Sequence, residues 1–181
     1  MHRLFVAIRP PRAMREALMA VTPPIPGARW QDDAQLHLTL RFIGAVERPL
    51  AEDIAAALGQ ISAPAFDLVL AAPGRFDRRG RLDSLWIGAG PTDRLTALHR
   101  KVDRVLIDLG LPPEGRAYLP HITLARFGRM AGDPALFAFA AATLTGLSAS
   151  VTHFDLFESR LGPDGAAYDC IARYPLRPAG C

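Results

Sequence analysis

The apolar positions sort this chain into strand-like and helix-like stretches. β-branched and apolar runs near 3–9, 36–43, 65–72, 82–88, 119–127, 149–159 and 167–176 predict strands. Helical spacing falls near 11–21, 48–61, 92–109 and 134–144. In 92–109, Leu95, Leu98, Val102, Val105 and Leu109 recur at helical steps, and Gly110 stands where a C-terminal cap belongs. The 48–61 stretch carries Leu50, Ile54, Ala57, Leu58 and Ile61 on one stripe. The 134–144 stretch opens with Asp133-Pro134, a cap and a first-turn proline. Gly162-Pro163-Asp164-Gly165 predicts the turn between the last two strands, and Gly74 to Gly80 a second hairpin tip. Irregular alternation with tight connections favours an α+β fold with antiparallel sheets over a doubly wound parallel one.

Two stretches nearly repeat. One reads Leu36-His37-Leu38-Thr39-Leu40-Arg41-Phe42-Ile43-Gly44, the other Pro120-His121-Ile122-Thr123-Leu124-Ala125-Arg126-Phe127-Gly128. The histidines are 84 residues apart in a chain of 181, which suggests two lobes related by pseudo-two-fold symmetry. Residues i and i+2 of a strand share a face. His37 with Thr39, and His121 with Thr123, should therefore project from one face while the Leu and Ile neighbours anchor the other. A single His-x-Thr on an apolar strand is ordinarily structural. Two copies, each followed by Arg-Phe and Gly, are much harder to obtain by chance.

Facing each other, two imidazoles and two hydroxyls can open a ribose 2′,3′-cyclic phosphate. One histidine takes a proton from water and the other gives one to the leaving sugar oxygen. Ordinary imidazole pKa values of about 6.5 suit both tasks and predict a bell-shaped rate profile near neutrality. The threonines can donate to the non-bridging phosphate oxygens. Zinc usually takes three or four His, Cys or carboxylate ligands, which these segments lack, so no metal is expected. His2, His99 and His153 are read as inert or structural.

The net charge is +3 and the pI near 9.3, a weak pointer to an anionic partner. Twenty of the 21 basic residues are Arg, Lys101 being the exception, which suits phosphate but also follows from a simple compositional bias. No apolar run approaches the roughly 18 residues of a membrane span. The short opening Met1 to Ile8 reads as a first strand rather than a signal peptide. Cys170 and Cys181 form no metal-type or disulfide spacing. The expectation is one cytoplasmic domain over 1–181.

The paired His37-Leu-Thr-Leu and His121-Ile-Thr-Leu motifs resemble the 2H phosphoesterase superfamily, and within it the RNA 2′,3′-cyclic phosphodiesterases, also called 2′-5′ RNA ligases. Supporting similarity runs through Arg3 to Ile8, Leu85-Trp86-Ile87-Gly88 and Leu156 to Leu161, with Gly165 and Tyr168. The resemblance implies a bilobal α+β fold: two antiparallel sheets facing a central cleft, with helices outside. It implies hydrolysis of an RNA-terminal 2′,3′-cyclic phosphate to a 2′-phosphate, without cofactor or metal, by a monomer. His37 would be the proton donor, His121 the acceptor, and Thr39, Thr123 and Arg126 the phosphate binders. Arg126 lies five residues after His121, so only a bend or bulge would bring it to the histidine face. Arg41, at an even offset of four from His37, is better placed. From chemistry alone, Arg41, Phe42, Arg75, Arg78, Arg79, Arg81 and Trp86 are possible RNA contacts, and Phe127 a possible base stack. The alternatives are a reversible 2′-5′ RNA ligase, a phosphoesterase for a small cyclic-phosphate nucleotide, and a non-catalytic RNA or nucleotide binder.

Overall fold

A computed structural model describes residues 1–128, 134–162 and 165–178. The chain runs β1 (His2–Ile8), α1 (Arg12–Ala20), β2 (Ala28–Trp30), β3 (Leu38–Val46), α2 (Arg48–Leu58), β4 (Phe66–Arg78), β5 (Arg81–Gly90), α3 (Thr92–Asp108) and β6 (His121–Phe127). It continues through α4 (Pro134–Ala141), a 3-10 turn (Ala142–Leu144), β7 (Ser148–Val151), β8 (His153–Gly162) and β9 (Gly165–Pro175). The expected α+β class is the one observed. No helix among the described residues is long and apolar enough to cross a membrane.

The strand order is β7-β4-β5-β6-β3-β1-β8-β9, with β2 also paired to β6. The named strands pair antiparallel throughout. The two expected sheets are halves of one curled sheet. They meet where β3 and β6 pair through Leu38 and Ile122. Each half thus carries its His-x-Thr segment at the inner edge.

The predicted strand 149–159 is two strands. Thr152 separates β7, which pairs with β4, from β8, which pairs with β1 and β9. Neighbours in sequence, they lie near opposite ends of the strand order, so the sheet curls until its outer parts approach. Backbone bonds from Leu176 to the Thr152 carbonyl and from Arg177 to the Ala63 carbonyl stitch that closure.

One core cluster spans both halves. Leu38 and Leu40 of β3, Ile122 and Leu124 of β6, and Leu4, Val6 and Ile8 of β1 pack with Met14, Leu18, Ile54, Leu58, Leu98, Val102 and Phe137 from the four helices. The helices therefore cover the face that the leucines of the repeated motifs supply. Truncating one such buried leucine to Ala costs about 2–5 kcal/mol. The opposite face carries a second small cluster, Phe5, Ala7 and Phe157, with Tyr168 against it.

The β4–β5 tip falls at the end of the expected 74–80 stretch. Both strands continue past Gly74, and the turn is Arg79-Gly80, at φ 53° and 73°. Gly74 has another purpose: a Cβ there would lie 2.3 Å from the Trp86 ring. Only glycine lets that indole lie on β4. Residues 163–164 of the predicted last turn, and Asp133, fall outside the described residues.

Candidate active site

His37 enters β3 from a tied loop. Asp32 and Gln35 bond reciprocally, side chain to backbone, at 2.9 and 3.2 Å. The Gln35 amide donates to the Ala166 carbonyl of β9 at 3.0 Å. The Gln35 carbonyl is thereby fixed, and it accepts from His37 Nδ1 at 2.6 Å. His121 repeats this pattern, its Nδ1 donating to the Leu119 carbonyl at 2.7 Å. A carbonyl can only accept, so Nδ1 carries the proton in both rings. Each Nε2 is left to exchange a proton with something else.

Aromatic rings hold both imidazoles. His37 lies 5.0 Å from Phe5 and 5.1 Å from Tyr168, centroid to centroid. His121 lies 5.0 Å from Phe76 and 5.7 Å from Trp86. The Trp86 indole nitrogen is buried without a hydrogen-bond partner among the described residues. Trp86 is therefore a wall of the His121 site, seated by Gly74. Gly74→Ala should displace it, costing about 1–3 kcal/mol of stability by overpacking and slowing catalysis. Urea unfolding beside a rate measurement checks both.

Strand alternation turns Thr39 and Thr123 to the histidine face, while Leu38, Leu40, Ile122 and Leu124 are 3% exposed or less. Then each strand bulges. Val6 faces Arg41 but Ala7 faces Thr39, leaving Leu40 as the extra residue. Leu85 faces Ala125 but Trp86 faces Thr123, leaving Leu124 extra. Both bulges fall three residues after the histidine and reverse the alternation beyond that point. His99 of α3 bonds the Leu40 carbonyl at 2.7 Å, which ties the first bulge to the helix layer.

The bulges sort the arginines. Arg126 returns to the histidine face and is exposed, while Phe127 turns into the core at 7% exposure. Arg41 goes the other way, contrary to its even offset. It is 8% exposed, and its Nε lies 2.7 Å from Asp103 of α3. It also donates to the Phe42 and Pro112 carbonyls. Arg41 is a buried tie to α3 rather than an RNA contact, and Phe127 is core rather than a base stack. Phe42 takes the cleft-side place, 58% exposed and 6.0 Å from Phe5. Arg75 lines a groove against α4, 3.4 Å from the Asp77 carboxylate. Arg78, Arg79 and Arg81 surround a separate cavity at the hairpin tip. Among the described residues no three His, Cys, Asp or Glu side chains cluster as metal ligands would.

Burial pushes the His37 imidazole down to about 4, against the opposing bond to Gln35 and with help from the charges of Arg126 and His121. Burial also lowers His121, the bond to Leu119 opposing and Arg126 adding to it. Arg126 therefore acts on both rings. Between pH 6.5 and about 4, the unfolded chain binds a proton at residue 37 that the folded chain resists. Stability contributed by neutral His37 is thus full above pH 6.5 and lost as pH falls to about 4. His37→Gln should flatten that part of the acid dependence in thermal melts.

The site's motifs lie within a match between residues 7–163 and the 2′-5′ RNA ligase superfamily. The chain belongs to that superfamily. Curated proteins named RNA 2′,3′-cyclic phosphodiesterase align with it. The Aeropyrum pernix protein is 37% identical over 58% of this chain and 60% of its own length. The Geobacillus stearothermophilus protein is 32% identical over 84% of this chain and 49% of its own length. The Thermus thermophilus protein is 33% identical over 97% of this chain and 90% of its own. Escherichia coli LigT, solved in complex with 3′-AMP, superposes with a TM-score of 0.79 at 28% identity, covering 97% of this chain and 98% of that one.

Proposed function

We propose that this protein hydrolyses the 2′,3′-cyclic phosphate at an RNA end to a 2′-phosphate, by acid–base catalysis between two histidines and without a metal ion. The relatives named RNA 2′,3′-cyclic phosphodiesterase support the phosphodiesterase activity. One observation carries the two-histidine reading. Both imidazoles bind a carbonyl through Nδ1, which leaves two Nε2 atoms for proton transfer beside one arginine that acts on both.

His121 Nε2 takes a proton from water as the water oxygen bonds to phosphorus. The bond from phosphorus to the 3′ oxygen breaks, and protonated His37 gives its Nε2 proton to that oxygen. Charge builds on the non-bridging oxygens, where the Thr39 and Thr123 hydroxyls and the Arg126 guanidinium donate. Burial first, and the charge of Arg126 after it, disfavour imidazolium at His37, so the donor role depends on the bound phosphate. The incoming phosphate anion offsets Arg126 and raises the imidazole pKa, so the acid forms when substrate is present.

The test uses an oligoribonucleotide ending in a 2′,3′-cyclic phosphate, incubated with the protein in EDTA. The expected product is the 2′-phosphate at an undiminished rate. A 3′-phosphate would reverse the assignment of the leaving oxygen, and activity only with added metal would overturn the mechanism.

A further inference from the structure

We propose that the arginines at the β4–β5 hairpin tip, together with Arg29, bind the phosphodiester backbone of RNA on the 5′ side of the reacting nucleotide, so that the protein favours oligoribonucleotide ends over mononucleotides. This rests on the cyclic-phosphate reading of the cleft. A 2′,3′-cyclic phosphate occupies both lower oxygens of its ribose. Further RNA can continue only from the 5′ oxygen, and every additional phosphate lies in that direction.

The structure offers a place for those phosphates. A cavity of about 460 Å³ opens where the hairpin tip meets the end of β6. Arg78, Arg79 and Arg81 line it with a single carboxylate, Asp83. Phe127 and Gly128 also line it, at the end of β6. Among the described residues none of these three guanidinium groups forms an ion pair, whereas Arg75 of the same hairpin pairs with Asp77. Arg29 of β2 stands opposite Arg126 in register and is exposed, and among the described residues it too forms no ion pair. On the other side of Arg126 stands Ser84, and Arg81 is three residues further along that strand. At strand rise this is about 10 Å, a span that a few nucleotides cover. Unpaired arginines spaced along a backbone supply the sequence-independent part of RNA binding.

Arg79 adds an independent sign. Among the described residues it is the non-glycine residue with positive φ, at 53°. The two-residue turn it forms with Gly80 prefers Asn or Gly at that place. The exposed Arg79 side chain reaches the cavity from that turn and forms no ion pair among the described residues.

The experiment measures kcat/KM against salt for a nucleoside 2′,3′-cyclic monophosphate and for an oligoribonucleotide with the same end. Wild type, Arg79→Asn, Arg81→Gln and the double variant are compared. Each substitution should flatten the log–log salt slope for the oligonucleotide by roughly 0.7 and lower kcat/KM roughly fivefold at about 0.1 M salt. The mononucleotide rate should not change. Arg79→Asn should melt no lower than wild type, which separates lost binding from lost folding. Equal losses on both substrates, or an unchanged salt slope, would overturn the track while leaving the cleft reading intact. If wild type turns over neither substrate, the cleft reading falls and the track with it.

Discussion

His121→Ala should lower turnover of an RNA 2′,3′-cyclic phosphate by about 10²–10⁴-fold, and His37→Ala by a similar factor. The double variant should be little worse than either single one, because acid and base act in the same step. The two histidines are then separable by leaving group. A phosphodiester that expels p-nitrophenolate needs no proton on its departing oxygen. On such a substrate His37→Ala should recover most of its loss and His121→Ala should not. The reverse pattern would exchange the donor and acceptor roles. Near-wild-type rates in either single variant on RNA would remove that residue from the chemistry.

Unperturbed histidines would centre the rate profile near neutrality, and the environment here moves it. Burial holds both imidazoles below their ordinary value, His37 at about 4. The profile of kcat/KM reports the free enzyme, so its bell should peak on the acid side of 6.5. The profile of kcat reports the complex, in which the phosphate anion favours imidazolium, and it should peak at higher pH. Arg126→Gln removes a positive charge that disfavours both imidazolium ions. Both limbs of the kcat/KM profile should then move to higher pH. The rate should fall on the order of 10²–10³-fold with the lost donor. A fall in rate with unmoved limbs would leave Arg126 as a phosphate ligand with no hold on the histidines.

Hydrophobic pattern alone located β1, β3 to β6, β9 and the four helices, because each carries a run or a stripe of apolar residues that it buries at least in part. It missed β2, whose three residues follow a proline-rich stretch and are strand only through pairing with β6. It joined β7 to β8, because alternation does not register a change of partner at Thr152. The motifs marked His37, His121, Thr39 and Thr123, and strand geometry was enough to put each pair on one face. The arginines were less legible. Arg41-Phe42 and Arg126-Phe127 look alike in the sequence but stand one position out of register relative to their histidines. Equivalent bulges at Leu40 and Leu124 therefore send Arg41 into the helix layer and Arg126 into the cleft. A bulge depends on how two strands pair, and neither strand's own sequence displays it. The same holds for Gly74, whose place against Trp86 shows only when β4 and β5 lie side by side.

The most direct test of the two-histidine claim is hydrolysis in oxygen-18 water containing EDTA, with products read by mass spectrometry. Wild type, His37→Ala and His121→Ala would each receive the same cyclic-phosphate-terminated oligoribonucleotide. The account predicts one labelled oxygen in a terminal 2′-phosphate from wild type, formed without metal, and only traces from either variant. Labelled product at undiminished rate from a variant, or from wild type only after metal is restored, would contradict it.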